Sequence, residues 1–137
     1  MSDAEPIRGR GQCLCGAVRF TVRGPLRDVV VCHCGQCLRN HGVPPGYTNA
    51  AWSDIELSGE DRLRWYRSSV KARRGFCAEC GASLFWEPVG EARVSINAGA
   101  LDEPTGLKTV RHIYVAGKPD WDRIDDGLEK LQGSMRP

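Results

Sequence analysis

Seven cysteines are the residues whose types and spacing could do chemistry, and they fall into three short clusters. The clusters are Cys13 with Cys15, then Cys32, Cys34 and Cys37, and finally Cys77 with Cys80. An odd number would leave one thiol outside any disulfide framework, and a spacing of one residue is too tight for an ordinary bridge within a pair. Thiolate sulfur is a common zinc ligand. The pattern therefore favours metal binding.

The first and third clusters together supply the four sulfurs of a tetrahedral zinc site. The predicted ligands of this closed, structural zinc are Cys13, Cys15, Cys77 and Cys80. Gly16 and Gly81 follow the second cysteine of each pair, and glycine permits the left-handed backbone that lets such a turn fold back. Because metal binding and folding are coupled in structural sites, this zinc is expected to stabilise the fold.

The second cluster offers only three sulfurs, from Cys32, Cys34 and Cys37. Three protein ligands with one open position are typical of catalytic zinc, so we expect two zinc ions per chain. Two alternatives remain at this point: closure of the site by His33 or His41, or a redox cluster. His33 should point away from the metal if its segment is extended. His41 follows Cys37 by one helical turn and is the candidate for proton transfer.

The elements that must position these clusters are short strands at close intervals, separated by glycine and proline. Alternation of apolar and polar residues predicts a strand at 18–23, and the apolar run 29–31 predicts a short buried one. Further strands are predicted at 52–57, 63–66, 70–76, 83–87, 92–97 and 110–115. Short helical segments are predicted at 34–41, ending before Gly42, and at 124–131. The expected fold is mainly β and antiparallel, with short helices.

Composition indicates one soluble globular domain, because 137 residues with 41% hydrophobic and 26% charged side chains exclude a disordered chain. No apolar run reaches the ~20 residues of a membrane helix, and no signal peptide is recognisable, so we expect a cytoplasmic protein with no membrane partner. Seven thiolates holding two Zn²⁺ would change the formal charge from +2 to −1, which argues against nucleic acid as partner. The basic run at 62–74 is interpreted as an exposed face of two strands, with a docking surface for an acidic small molecule as the alternative.

The cysteine motifs, in their order along the chain, resemble those of the glutathione-dependent formaldehyde-activating enzyme family, which includes centromere protein V. The motifs are Cys13-Leu14-Cys15-Gly16, then Cys32-His33-Cys34-x-x-Cys37, then Phe76-Cys77-x-x-Cys80-Gly81. The stretch 97–102, His112 and Trp121 are similar to later features of the family. The resemblance covers about 11–131, which is taken as one zinc domain between short tails at 1–10 and 132–137.

This resemblance implies a β-tent fold of packed antiparallel sheets stapled by zinc, with the second zinc at the glutathione site. It also implies a carbon–sulfur lyase that forms or cleaves S-hydroxymethylglutathione, with a thiol such as glutathione and a small aldehyde as partners. Cys32, Cys34, Cys37 and His41 are then the expected catalytic residues. A thiol-binding module without turnover is the alternative, and a scaffold for a protein partner is the third hypothesis. The chain departs from the family at 38–46, a bulkier loop that is expected to line the open site.

Overall fold

The computed structural model describes residues 5–135, which fold into eleven short strands, one α-helix and four 3₁₀ turns. The strands of the first half are β1 (Gly9–Gln12), β2 (Arg19–Val22), β3 (Val29–Cys32), β4 (Gly46–Ala51) and β5 (Ile55–Ser58). Those of the second half are β6 (Leu63–Tyr66), β7 (Ala72–Cys77), β8 (Ser83–Pro88), β9 (Arg93–Asn97), β10 (Thr109–Ile113) and β11 (Glu129–Lys130). The helix α1 (Gly35–His41) lies between β3 and β4.

The strands form two sheets. The smaller sheet has the order β1-β2-β5 and is antiparallel. The larger sheet has the order β11-β10-β3-β4-β9-β8-β7-β6, and the pairs of β10 with β3 and with β11 are parallel. The prediction of a mainly β fold with packed sheets and short helices is confirmed, and the expected antiparallel pairing needs correction at β10 alone within residues 5–135.

The hydrophobic core lies between the two sheets, because alternate residues of their strands point inward. Phe20 and Val22 of the smaller sheet and Phe85, Val94 and Ile96 of the larger sheet are at most 2% exposed. The rings of Phe20 and Phe85 lie 5.5 Å apart. One face of the larger sheet is thus occupied by the core, and the opposite face is left for other contacts.

Most predicted elements are confirmed. β3 leads directly into Cys32, and α1 ends at Gly42, whose φ of 87° is left-handed. β6 pairs with β7 as a hairpin, and β8 and β9 follow as predicted.

The strand predicted at 52–57 is wrong at its beginning, because Trp52–Asp54 form a 3₁₀ turn and β5 starts at Ile55. The strand that precedes this turn, β4, was not predicted. Its alanines and asparagine have low strand propensity. β4 nevertheless forms in the centre of the larger sheet, where it pairs on both edges, with β3 and β9.

The helix predicted at 124–131 is also wrong, since this segment is irregular, with a bend at Asp126 and the two-residue strand β11. Gly127 adopts a φ of 71°, which interrupts a right-handed helix. Asp126 accepts a hydrogen bond from the backbone N–H of Leu128 at 3.0 Å, a local turn that competes with helix formation.

Within residues 5–135, no helix has the length and apolar character needed to cross a membrane. β1 begins at Gly9, and the N–H of Arg8 donates to the Val22 carbonyl at 2.7 Å. The predicted division into one domain and two tails stays a prediction.

Candidate functional site

The first and third cysteine clusters meet where the two sheets come together. The Sγ atoms of the four residues all lie within 4.8 Å of one another, and the residues are Cys13, Cys15, Cys77 and Cys80. Cys13 follows β1 of the smaller sheet, whereas Cys77 ends β7 of the larger sheet. A cation held there would join the sheets directly.

Backbone N–H groups are directed at several of these sulfurs. The Cys77 Sγ accepts the N–H groups of Glu79 and Cys80 at 3.3 and 3.5 Å, and the Cys13 Sγ accepts that of Val18 at 3.3 Å. A hydrogen bond from the Ala82 backbone lowers the pKa of Cys80 to about 6. The two glycines have the left-handed φ that was predicted, 81° at Gly16 and 77° at Gly81.

The second cluster forms a separate trio. The sulfurs of Cys32, Cys34 and Cys37 lie within 4.8 Å of one another, at the junction of β3 and α1. Cys34 caps the helix, and its Sγ accepts the Cys37 N–H at 3.4 Å. Each trio residue is at least half-buried.

Hydrogen bonds among the three sulfurs shift the pKa values of Cys34 and Cys32 in opposite directions. Hydrogen bonds from the thiols of Cys32 and Cys37 lower the pKa of Cys34 to about 2. The hydrogen bond to Cys34, together with that to Cys37 and burial, raises the pKa of Cys32. A divalent cation would therefore displace protons as it bound, and this coupling is typical of thiolate metal sites.

Arg74 is a buried cation beside this trio. Its side chain is on β7 and the residue is 5% exposed. Its Nη2 donates to the Cys37 Sγ at 3.6 Å, and its Nη1 to the Tyr47 hydroxyl at 3.4 Å. Burial lowers the pKa of Arg74, but the hydrogen bond and charge of Cys37 outweigh it and raise the pKa. A buried guanidinium is costly unless an anion offsets it, and the thiolates provide that anion.

Neither histidine joins the trio. His33 points away from it, as predicted: its Nδ1 lies 2.5 Å from Asp122 Oδ2 and its Nε2 lies 2.8 Å from His112 Nδ1. The Nε2 of His41 lies 2.7 Å from the Tyr47 hydroxyl. Among residues 5–135, the group of potential metal ligands at this position consists of the three cysteines alone.

Burial and the charge of Arg74 lower the pKa of His41 to about 4, so its imidazole is neutral near pH 7. Burial also raises the pKa of Tyr47, which keeps the phenol protonated. The natural arrangement is a hydrogen bond from the Tyr47 hydroxyl to the neutral His41 Nε2. Tyr47 therefore stands between His41 and the space in front of the cysteines.

A cavity of about 1170 Å³ opens in front of the trio. Its floor is the face of the larger sheet opposite the core, where alternate residues of four strands point into it. These floor residues are Val30 and Cys32, Tyr47 and Asn49, Trp86 and Pro88, and Arg93 and Ser95. Cross-strand pairing joins Ser95 to both Asn49 and Trp86. The floor continues across Trp86 to Arg74, its partner on β7.

The loop 38–46 was expected to line this cavity, and that expectation is wrong. Asn40 and His41 line a smaller pocket of about 580 Å³ on another side of the protein. The helix turns its first residues, Gly35 to Cys37, toward the larger cavity and leads the chain away from it. Tyr47, the first cavity residue after the loop, was missed because β4 was missed.

The basic residues at 62–74 have different surroundings in the structure, and the sequence does not predict which of them reach the cavity. Lys71 and Arg74 line the cavity. Arg73 instead pairs with Glu87 at 2.5 Å and stacks on Trp65 at 4.0 Å from the ring centre. Arg27 and Arg93 also line the cavity. The sequence does not predict this position, because the residues that surround them in space are distant in sequence.

Comparison with known proteins identifies similar chains. A model of the glutathione-dependent formaldehyde-activating enzyme family matches residues 8–117, which include all three cysteine clusters. A curated Halomonas elongata protein, provisionally named a glutathione-dependent formaldehyde-activating enzyme, is 29% identical over 126 residues, or 84% of this chain and 80% of that protein. The crystal structure of a Rhodobacter sphaeroides protein aligns with a TM-score of 0.59 at 26% identity and covers 73% of this chain and 97% of that chain.

Proposed function

This chain belongs to the glutathione-dependent formaldehyde-activating enzyme family, and we propose that it forms and cleaves S-hydroxymethylglutathione or a related thiol–aldehyde adduct. The proposal places the reaction at a zinc ion held by Cys32, Cys34 and Cys37. A second, structural zinc is assigned to Cys13, Cys15, Cys77 and Cys80. The reaction is that of a carbon–sulfur lyase.

The observation that carries this proposal is the three-cysteine trio at one end of a large cavity. The trio fits zinc because three thiols converge within 4.8 Å and a buried arginine offsets their charge. A trio leaves one position of a tetrahedron for a ligand from the cavity. Zinc bound there would favour the thiolate form of a substrate thiol.

In the forward direction, the substrate thiolate donates an electron pair to the aldehyde carbon. The C–S bond forms, the C=O π bond breaks, and the oxygen takes up one proton to become a hydroxyl. In the reverse direction the hydroxyl gives up that proton, the C=O bond re-forms, and the thiolate leaves. The protein must therefore exchange one proton with the substrate oxygen.

Tyr47 is proposed as the residue that exchanges this proton, because it lines the cavity and its hydroxyl lies 2.7 Å from the His41 Nε2. During cleavage, Tyr47 would accept the hydroxyl proton as its own proton moves to neutral His41. During formation, the transfers run in reverse. His41, the predicted proton-transfer residue, would then act through Tyr47 rather than on the substrate.

Arg74 would stabilise the negative charge on both sides of this step. Its guanidinium donates to the Cys37 sulfur and to the Tyr47 oxygen, so it is within reach of the thiolates and of the proton-exchanging group. A fixed cation in a buried site needs no reorganisation when charge moves, which is why such groups lower reaction barriers.

The test is the exchange rate between glutathione, formaldehyde and their adduct, measured by exchange NMR with the zinc-loaded protein. We expect the protein to raise the rate above the spontaneous one and Cys34→Ala to return it to that level. Arg123→Gln, an exposed change outside the cavity, is the matched control. Undiminished exchange in Cys34→Ala would refute the proposal. Tight glutathione binding without a faster exchange would instead favour the thiol-binding module.

A further inference from the structure

One residue in the wall of the cavity has a backbone conformation that its side chain disfavours. Tyr114 lines the cavity, and its φ of 57° and ψ of 35° lie in the left-handed region. Glycine adopts this region without steric cost, whereas a bulky residue rarely does. Among residues 5–135, each of the seven other residues with a positive φ is a glycine. A tyrosine at this position therefore has a local cost that another property of the protein must offset.

Hydrogen bonds from two sides hold the Tyr114 backbone in this conformation. Its N–H donates to the Gly133 carbonyl at 3.0 Å, and its carbonyl accepts the N–H of Gly117 at 3.1 Å. The carbonyl of the preceding residue, Ile113, accepts the His33 N–H at 3.0 Å. A strained residue persists where the surrounding structure over-determines its conformation, and such residues cluster at ligand-binding sites. The fold thus fixes the direction in which the Tyr114 side chain leaves the backbone.

This position is beside the trio. The parallel pairing of β10 with β3 places Ile113 opposite Cys32, so Tyr114 directly follows the neighbour of the first cysteine. In the larger sheet β3 lies between β10 and β4, and β4 contributes Tyr47. The two tyrosines therefore lie on either side of the strand that ends at Cys32, and both line the cavity. A ligand at the open position of the trio would lie within reach of the Tyr114 ring.

Packing inside the protein does not account for a tyrosine at this strained position. Tyr114 is 39% exposed, and it belongs to neither of the two clusters of buried residues within 5–135. An aromatic ring with a hydroxyl presents a large apolar face and a polar end. Such a side chain suits a ligand that combines methylene groups with polar atoms.

We propose that Tyr114 is a ligand-binding residue, whose ring packs on the substrate in front of the trio. The inference rests on the proposed function for the location of the substrate and adds a residue that binds it. A tyrosine retained for packing would stabilise the fold. A tyrosine retained for binding in a strained conformation instead lowers stability and raises affinity. The two roles therefore predict opposite effects of glycine on stability.

Glycine and alanine at this position separate the ring from the strain. Both remove the ring, but only glycine removes the strain, because alanine retains Cβ. Calorimetry measures the affinity of the zinc-loaded protein for glutathione, and urea unfolding measures stability. We expect Tyr114→Gly and Tyr114→Ala each to bind about tenfold more weakly, because the aromatic contact is lost. The urea midpoint of Tyr114→Gly should lie above that of Tyr114→Ala and should not fall below that of the wild type.

The control is Tyr66→Ala, at a tyrosine of β6 that is 65% exposed and does not line the cavity, and it should bind like the wild type. Unchanged affinity in both Tyr114 variants would overturn the proposal. A urea midpoint of Tyr114→Gly below that of the wild type would also overturn it, because the ring would then be a packing element of the fold. Failure of the proposed function has a different signature. In that case the wild type does not accelerate exchange between glutathione, formaldehyde and their adduct, while glutathione binding still weakens in both variants.

Discussion

Three side chains from three elements meet at the hydroxyl of Tyr47. His41 comes from α1, Tyr47 from β4 and Arg74 from β7, and both partners contact the same oxygen. Arg74 also contacts Cys37. The sulfurs that could hold a metal are thus separate from the hydroxyl that we propose as the proton-exchanging group, whereas the sequence pointed to His41 for that role.

Replacing Tyr47 by phenylalanine should lower the adduct exchange rate by about 10²-fold, because the proton-exchanging group is lost. Zinc content should not change, since Tyr47 is not one of the clustered ligands. Exchange NMR and elemental analysis measure both quantities. Tyr66→Phe, at a tyrosine that is 65% exposed, is the control. A Tyr47→Phe protein with full activity would exclude this role.

His41 should make stability depend on pH. Its pKa is lowered from 6.5 to about 4 in the folded protein, so between these values the unfolded chain binds a proton that the folded chain does not. The free energy of unfolding should therefore fall as pH is lowered from about 6.5 toward 4.

The comparison is with His41→Gln, in urea unfolding at pH 7 and pH 5 under equal zinc activity. The variant should lose less stability than the wild type over this interval, because glutamine does not titrate. If both proteins lose the same amount, His41 does not titrate as inferred.

At this scale the sequence predicts the cysteines but not the residues around them. Cys77 and Cys80 can be recognised as metal ligands because their spacing is a local pattern in the sequence. Tyr47 and Arg74 meet only because β4 and β7 are brought to one face of the larger sheet. No local pattern records a contact between residues that are 27 positions apart.

Among the elements, a chain of polar groups, buried except at Asp126, connects the end of β3 to β10 and to the C-terminal segment. Asp122 contacts His33, His33 contacts His112, and the His112 Nε2 lies 2.7 Å from Asp126 Oδ2. His33 lies between two cysteines of the trio. The network therefore fixes the turn on which Cys32 and Cys34 are placed.

Asp122→Ala should reduce the free energy of unfolding by about 1–3 kcal/mol, because it leaves a buried imidazole N–H without an acceptor. Asp125→Ala, at a side chain that is 75% exposed, should change it by less than about 0.5 kcal/mol. Urea unfolding of the zinc-loaded proteins measures the difference. Equal stabilities of the two variants would contradict a structural role for the network.

Local sequence patterns predict some elements, whereas contacts of this network determine the conformation of another. β9 could be recognised from its own residues, because the fully buried Val94 and Ile96 alternate with less buried neighbours. The segment 124–131 looks helical in isolation, but Asp126 bonds to His112, and the N–H of Leu131 donates to the His112 carbonyl at 2.9 Å. These tertiary contacts, together with the turn at Gly127, decide its conformation.

For the whole molecule, the two cysteine clusters should differ in their effect on stability. The four-cysteine cluster joins residues that are distant in sequence, such as Cys15 and Cys77, which are 62 positions apart, and it connects the two sheets. The trio joins neighbouring residues at one edge of the cavity. Closing a long loop stabilises a fold more than closing a short one.

We therefore expect Cys15→Ser and Cys34→Ser each to lose about one zinc per chain, but only Cys15→Ser to lower the melting temperature substantially. Elemental analysis and thermal unfolding followed by circular dichroism measure both effects. Equal melting temperatures of the two variants would show that the four-cysteine cluster is not the structural one.

The alternation along β4 and β9 has a consequence for how such a gene can change. In these strands every second codon specifies the cavity, and the codons between them specify the core: Asn49 and Ser95 face the cavity, whereas Ala50 and Val94 are fully buried. Single-codon substitutions at the cavity positions can alter ligand preference while packing is preserved. Deletion of one codon within either strand exchanges the two sets of side chains and disrupts both. Lineages of this fold can therefore diversify their ligands by point mutation, while the lengths of these two strands are constrained.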